Sequence, residues 1–114
     1  MSARAIVTSA LKPLGVPVVF LKYRGAEETY IRFFFYNESS ALTADDSEEA
    51  TGYYVQVDVF TKDPSEYARL EDGVKDRLIS AGFGRSGQYD LYENETEIYH
   101  KVLRFYYAQN TEEE

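Results

Sequence analysis

The chain has 114 residues, no cysteine, and a formal charge of -8 from 12 basic and 20 acidic residues. That length suits one domain with a core that needs no staples, and the lack of cysteine excludes disulfides and thiolate metal sites. The acidic balance disfavours sequence-independent nucleic-acid binding and anionic membranes, both of which want a basic surface.

Residues 2–14 read as a first helix. Ser2 is its cap, and Ile6, Ala10 and Leu14, with Ala3, share a face at three- and four-residue spacing. Arg4, Thr8, Ser9 and Lys12 break this stretch too often for a signal-peptide core, and no run approaches the roughly 20 apolar residues of a membrane span. The chain is therefore expected to be soluble and to stay in the cytoplasm or in something assembled there. Pro13, Gly15 and Pro17 end the helix. Val18–Tyr23 is a strand of β-branched and aromatic residues. Arg24–Glu28 is a turn, and Thr29–Tyr36 is a second strand, so the two suggest a hairpin. The aromatics of that second strand leave both faces apolar in places, and one face is expected to be covered by another subunit.

Residues 37–51 read as a long acidic loop, dominated by Ser39, Ser40, Thr43, Asp45, Asp46, Ser47, Glu48 and Glu49. It is either a solvated excursion or a segment that orders when a partner arrives. Gly52 opens a third strand with the clearest alternation in the chain. Tyr53, Val55, Val57 and Val59 face one way, and Tyr54, Gln56, Asp58 and Phe60 the other. The valine face should meet the helix that follows.

That helix carries both a start and a stop signal. Asp63 is an N-cap, Pro64 takes the first helical position, and Glu66 stands where a capping box places its acid. Tyr67, Leu70, Val74, Leu78 and Ala81 form one apolar stripe, and Gly82 closes it. Gly73 weakens the helix by about 1 kcal/mol relative to alanine unless a close contact needs it. Phe83 begins a fourth strand, interrupted by Gly84-Arg85-Ser86-Gly87 and continued by Tyr89–Glu93. Asn94-Glu95 is a turn, and Glu97–Tyr107 is a long last strand. Residues 109–114 read as a frayed acidic tail. The order α-β-β-β-α-β-β, with one domain over 1–114, makes an α+β two-layer sandwich: a mainly antiparallel sheet with two helices.

No active site is legible. His100, the single histidine, sits mid-strand with no nucleophile assignable to it, and is read as hydrogen-bonded on a sheet face or at an interface. Asp45-Asp46 and Glu48-Glu49 lack the glycine turn and ligand spacing of a calcium loop. The glycines at 82, 84 and 87 follow a helix, whereas phosphate-cradling loops precede one. Tyr89, Tyr92, Tyr99, Tyr106 and Tyr107 could stack bases, but the basic groove that accompanies such platforms is lacking. Catalytic, cofactor and metal residues are therefore expected to be none. Eleven tyrosines and seven phenylalanines suit half-buried strands and protein interfaces instead.

The helix ending in Leu11-Lys12-Pro13-Leu14-Gly15-Val16-Pro17-Val18, the stretch VQVDVFTKD (residues 55–63), the helix closing in Ala81-Gly82-Phe83 and the stretch YHKVLRF (residues 99–105) together resemble the tail-completion, or tail-terminator, proteins of long-tailed phages and prophages. The resemblance covers nearly the whole chain. It implies an α+β fold, no enzymatic activity, no cofactor, and a place in the virion tail, assembled in the host cytoplasm. It also implies a hexameric ring that caps the finished tail tube and joins tail to head, with the tube protein and a head-completion protein as neighbours. Many such proteins stay monomeric until they dock.

A ring needs a heterologous contact. The expected surfaces are the outer strand faces carrying Phe33, Phe35, Tyr99 and Phe105, with Arg32 and Arg104 as polar anchors. Asp45, Asp46, Glu48 and Glu49 are expected to face a partner or a DNA-conducting lumen, where negative charge lets the duplex slide. Two other classes stay open. One is a small acidic inhibitor of a basic partner such as a nuclease. The other is a hydrolase or isomerase, which requires a pocket of polar groups around His100.

Overall fold

The computed structural model describes residues 1–42 and 49–110. Ser2 starts the first helix, α1 (Ala3–Leu11), by accepting the Ala5 N–H at 3.1 Å. A 3-10 turn, Lys12–Leu14, follows and ends at Gly15, whose φ of 80° takes the left-handed conformation. The remaining elements are β1 (Val18–Phe20), β2 (Tyr30–Leu42), β3 (Glu49–Thr61), α2 (Pro64–Ser80), β4 (Gly84–Glu93) and β5 (Ile98–Asn110). One five-stranded sheet results, in the order β1-β2-β3-β5-β4. The two helices pack on one side of it, so the α+β two-layer sandwich and its element order are as the sequence indicates.

The expected β1–β2 hairpin is not formed. β1 runs parallel to β2, with Phe20 opposite Phe33. The reason lies at Leu21, whose φ of 70° reverses the chain while its N–H reaches the Phe33 carbonyl at 2.9 Å. Lys22 N–H closes the turn on the Phe20 carbonyl at 2.8 Å. A three-residue strand is only about 10 Å long, so residues 21–29 suffice to carry the chain back to the same end. The other three pairings are antiparallel.

Residues 37–51 also differ from the expected loop. β2 continues to Leu42 and pairs with β3 out to Leu42 opposite Glu49. Backbone hydrogen bonds carry the ladder, so serines at 39 and 40 do not prevent it. Asp45, Asp46 and Glu48, and the Glu49 side chain, lie outside the described residues. At the other terminus, Gln109 and Asn110 are not frayed. They extend β5 opposite Thr51 and Ala50, and the Gln109 amide donates to the Met1 carbonyl at 2.8 Å. Residues 111–114 lie outside the described residues.

The core is built from α1, α2 and one face of the sheet. α2 buries Leu70, Val74 and Leu78 against Val55, Val57, Val59 and Leu103, each worth about 1.5–3 kcal/mol. α1 buries Ala3, Val7 and Leu11, while Ile6, Ala10 and Leu14 flank them. The buried stripe is therefore one residue along from the expected one, a rotation of about 100°. At the start of α2, Asp63 caps by accepting the Ser65 N–H at 2.9 Å. The capping box is incomplete: the Asp63 N–H goes to Thr61 Oγ1 at 3.1 Å, and Glu66 turns away to grip Arg69 at 2.6 and 3.0 Å.

Candidate functional site: the helix-free face of the sheet

Strand alternation sends Ile31, Phe33, the valines of β3, Leu103 and Phe105 toward the helices. It sends Arg32, Gln56, Asp58, Phe60, His100 and Arg104 to the opposite side. That side carries no helix among the described residues, yet Asp58 on it is 0% exposed. The register explains how. Asp58 stands opposite Arg32 on β2 and Val102 on β5, and both neighbouring strands reach it.

Arg32 donates to Asp58 Oδ2 from Nε at 3.1 Å and from Nη2 at 2.8 Å. Gln56 Nε2 donates to Oδ1 at 3.0 Å, and His100 Nε2 lies 2.8 Å from the same oxygen. Burial pushes the Asp58 carboxyl up, but the hydrogen bonds from His100, Arg32 and Gln56 outweigh it and hold the carboxyl below the ordinary value. An ionised carboxylate only accepts, so His100 Nε2 carries the proton between them. Gln56 then passes the network on, its Oε1 accepting from Arg104 Nε at 3.1 Å.

Aromatic rings wall this network. Tyr23, Tyr30, Phe60 and His100 stack in a row, with centroid separations of 4.3, 4.8 and 4.2 Å. Arg32 lies 5.1 Å over Phe60, and Arg104 lies 5.0 Å over Tyr36 and 5.9 Å over Tyr89. The sheet is roofed by its own side chains, so that Val102 beneath them is buried. Arginine and tyrosine are the residue types that dominate protein–protein hot spots. Here they are held in place before any partner arrives.

The six residues expected to share an interface fall in three places. Arg32 and Arg104 lie on the helix-free face. Phe33 and Phe105 are fully buried under the helices, which removes them from any surface. Phe35 and Tyr99 are half-buried on the helix side, Phe35 beside Tyr53 and Tyr99 between Tyr67 and Tyr92. Strands apolar on both faces give no clue to which face the helices take, so the reading mixed the two. Asp58, Gln56, Tyr36 and Tyr89 also belong to the network on the helix-free face, which the sequence reading does not include. Their signal was present in β3, where Gln56 and Asp58 interrupt an otherwise apolar strand on a single face.

A second network ties α2 to the β4 edge. Lys101, on the helix side and only 5% exposed, places Nζ 2.6 Å from Glu71 Oε1 and 2.9 Å from Asp90 Oδ1. Burial pushes the Lys101 ammonium down, and the two carboxylates more than restore it. The Tyr67 hydroxyl donates to Asp90 Oδ1 at 2.5 Å, which with Lys101 holds the Asp90 carboxyl low. Beside it opens a cleft of about 410 Å³ lined by Pro64, Tyr67, Asp90, Leu91, Tyr92 and Tyr99. A smaller cleft of about 230 Å³ lies at the start of α1, between Arg4, Phe35, Glu38 and Tyr53. His100 lines neither. Among the described residues no group of three or more histidine or acidic side chains gathers as metal ligands would.

No protein-family model and no curated protein matches the sequence. Among solved structures the chain is similar to a chain of the virion of a native gene transfer agent (GTA) particle, with a TM-score of 0.65 and 16% identity. The superposition covers 96% of this chain and 95% of that one. The two share a fold from end to end.

Proposed function

We propose that this chain is a single-domain, non-enzymatic structural protein of a phage virion, which caps the tail tube as a ring and joins tail to head. The observation that carries the reading is the end-to-end likeness of fold to a chain of a gene transfer agent virion, a phage-like particle. Near-complete coverage of both chains argues for the same kind of building block, where a local match would argue only for a shared motif. The resemblance to tail-completion proteins narrows this to the end of the tail tube, with a hexamer as the expected ring.

The helix-free face supports the reading chemically. A rigid layer of arginines and tyrosines, fixed by Asp58 and Gln56, loses little side-chain freedom on docking. We assign it to contact with the neighbouring virion proteins. A small acidic inhibitor would present negative charge where this face presents Arg32 and Arg104; the exposed Glu93, Glu95 and Glu97 lie apart from it, at the β4–β5 turn. Asp45, Asp46, Glu48 and Glu49 are assigned to the tube or lumen.

The test is electron microscopy of purified tail tubes incubated with the chain. A ring of density at the tube end is expected, and bare tube ends under saturating protein would refute the assignment. Neutralising Asp45, Asp46, Glu48 and Glu49 together should then impair tail joining or DNA passage; unchanged infectivity would remove the lumen role.

A further inference from the structure

Resting on the ring reading, we infer that neighbouring subunits join edge to edge. Leu21, with Lys22 and Arg24, at the β1 edge of one copy seats in the cleft at the β4 edge of the next. β1 and β4 are the two ends of the sheet, so each has one side with no strand partner among the described residues. A contact between two different edges is heterologous, the only kind that closes rings larger than a dimer about a single axis.

Four of the seven exposed large apolar side chains among the described residues lie at these two edges, the others being Met1, Tyr36 and Ile79. Tyr89, Leu91 and Tyr92 on β4 are 44–48% exposed, and Leu21 is 57% exposed at the point where the chain leaves β1. A bulge between Arg85 and Gly87 blunts one end of the β4 edge, but from Gln88 to Tyr92 the strand has neither proline nor lysine, and an edge left open there invites a partner. The register also fixes the offset between the two sites. Phe20, Phe33, Val57, Leu103 and Gln88 stand in line across the sheet. β4 runs antiparallel to β1, so Leu21 and Leu91 lie on opposite sides of that line and differ in height by four residues, roughly 13 Å. Shifting one copy sideways by the width of the sheet, and along the strands by this offset, brings them together.

Charge selects a second copy as the occupant. Asp90 at the cleft is already paired with Lys101, so the charge there comes from exposed Glu93, Glu95 and Glu97 at the β4–β5 turn beside it. The β1 edge offers the opposite sign. Glu28 there is neutralised by Lys62 at 3.7 Å, and Glu27 accepts from the Tyr23 hydroxyl. Lys22 and Arg24 remain exposed and form no ion pair among the described residues. An apolar residue flanked by two cations thus faces an apolar cleft flanked by carboxylates.

The chain has no cysteine of its own, so thiol crosslinking gives a clean test. Leu21→Cys and Leu91→Cys are made singly and together, then treated with a short bis-maleimide, both in concentrated solution and on tail tubes. The double variant should give a ladder of covalent multimers, an equimolar mixture of the two singles should stop at dimers, and each single alone should stay monomeric. Dimers from either single alone would mean a two-fold contact and overturn the inference. Rings at tube ends whose double variant stays uncrosslinked would also overturn it while leaving the capping role intact. A ladder in solution with bare tube ends would do the reverse. Lys22→Glu with Arg24→Glu should abolish the ladder, and adding Glu93→Lys with Glu95→Lys should restore it; no restoration counts against the charge pairing.

Discussion

The two faces of this sheet bury their residues in different ways. Val57 and Asp58 are neighbours on β3, and both are 0% exposed. Val57 is covered by a second layer of structure, the stripe of Leu70, Val74 and Leu78 on α2. Asp58 has no such layer among the described residues and is covered by Arg32, His100, Gln56 and the rings beside them. Burial on the helix side is a property of the fold. Burial on the free side is a property of six or seven side chains lying flat, each held by a charge, an amide or a ring. The free face is consequently held in one arrangement by its own side chains, which is the property the proposed docking role would use.

Mutations on matched positions of the two faces should separate these origins. Phe33→Ala, on the helix side, removes a fully buried ring and is expected to cost about 4 kcal/mol in denaturant unfolding. Asp58→Ala is expected to cost slightly less, about 3 kcal/mol, because Arg32 is left unpaired but keeps partial access to water. A cost near zero for Asp58→Ala would mean that the free face is an ordinary wet surface.

The same contrast has a pH signature. The folded Asp58 carboxyl lies below its ordinary value, so its contribution is complete above about pH 4 and is lost as pH falls through the lower folded value. Asp90 adds to this in the same sense through Tyr67 and Lys101. Stability of the natural chain should fall on acidification below about pH 4, and Asp58→Asn should make that fall shallower. Equal slopes for the two would show that other carboxylates govern acid unfolding.

These residues also mark what could be seen in the sequence. The alternation of Tyr53 to Phe60, the Asp63-Pro64 start of α2 and the Leu70–Val74–Leu78 stripe are local patterns, each fixed by two or three neighbours in the chain, and the structure has them. The parallel β1 depends on one left-handed residue, Leu21, that has no glycine or asparagine to announce it. The stripe of α1 depends on where a sheet made of distant residues comes to lie. The Asp58 network joins positions 32, 56, 58, 100 and 104, which only the strand register brings together. Apolar patterning told a buried strand from an exposed one, but could not say that one of its faces would be buried by ions.

Arg104→Ala probes the docking side of the comparison with a smaller effect on folding. Arg104 is half-buried, and its contacts with Tyr36, Tyr89 and Gln56 are expected to contribute about 1 kcal/mol or less to stability. Attachment to tail tubes, measured by co-sedimentation, should weaken by about tenfold or more, as truncation of a central arginine does elsewhere. A variant that binds tubes normally would move the docking surface to another face.

The smallest expected effect concerns how tightly the helix layer is closed. Gly73→Ala on α2 gains helix propensity worth about 1 kcal/mol. The added Cβ would stand 2.6 Å from Leu14 Cδ2, so Leu14 must rotate away. Forcing a side chain off its rotamer costs about 0.5–1.5 kcal/mol, and the two terms nearly offset. The net change in unfolding free energy should stay within about 1 kcal/mol. Made on a Leu14→Ala background, where the obstacle is gone, the same substitution should stabilise by its full propensity, because residues in contact do not act independently. If Gly73→Ala instead costs as much as Asp58→Ala, the two faces converge. The helix layer would then be as rigidly specified at Leu14 as the free face is at Asp58, and glycine 73 would be the place where the second layer is locked to the first.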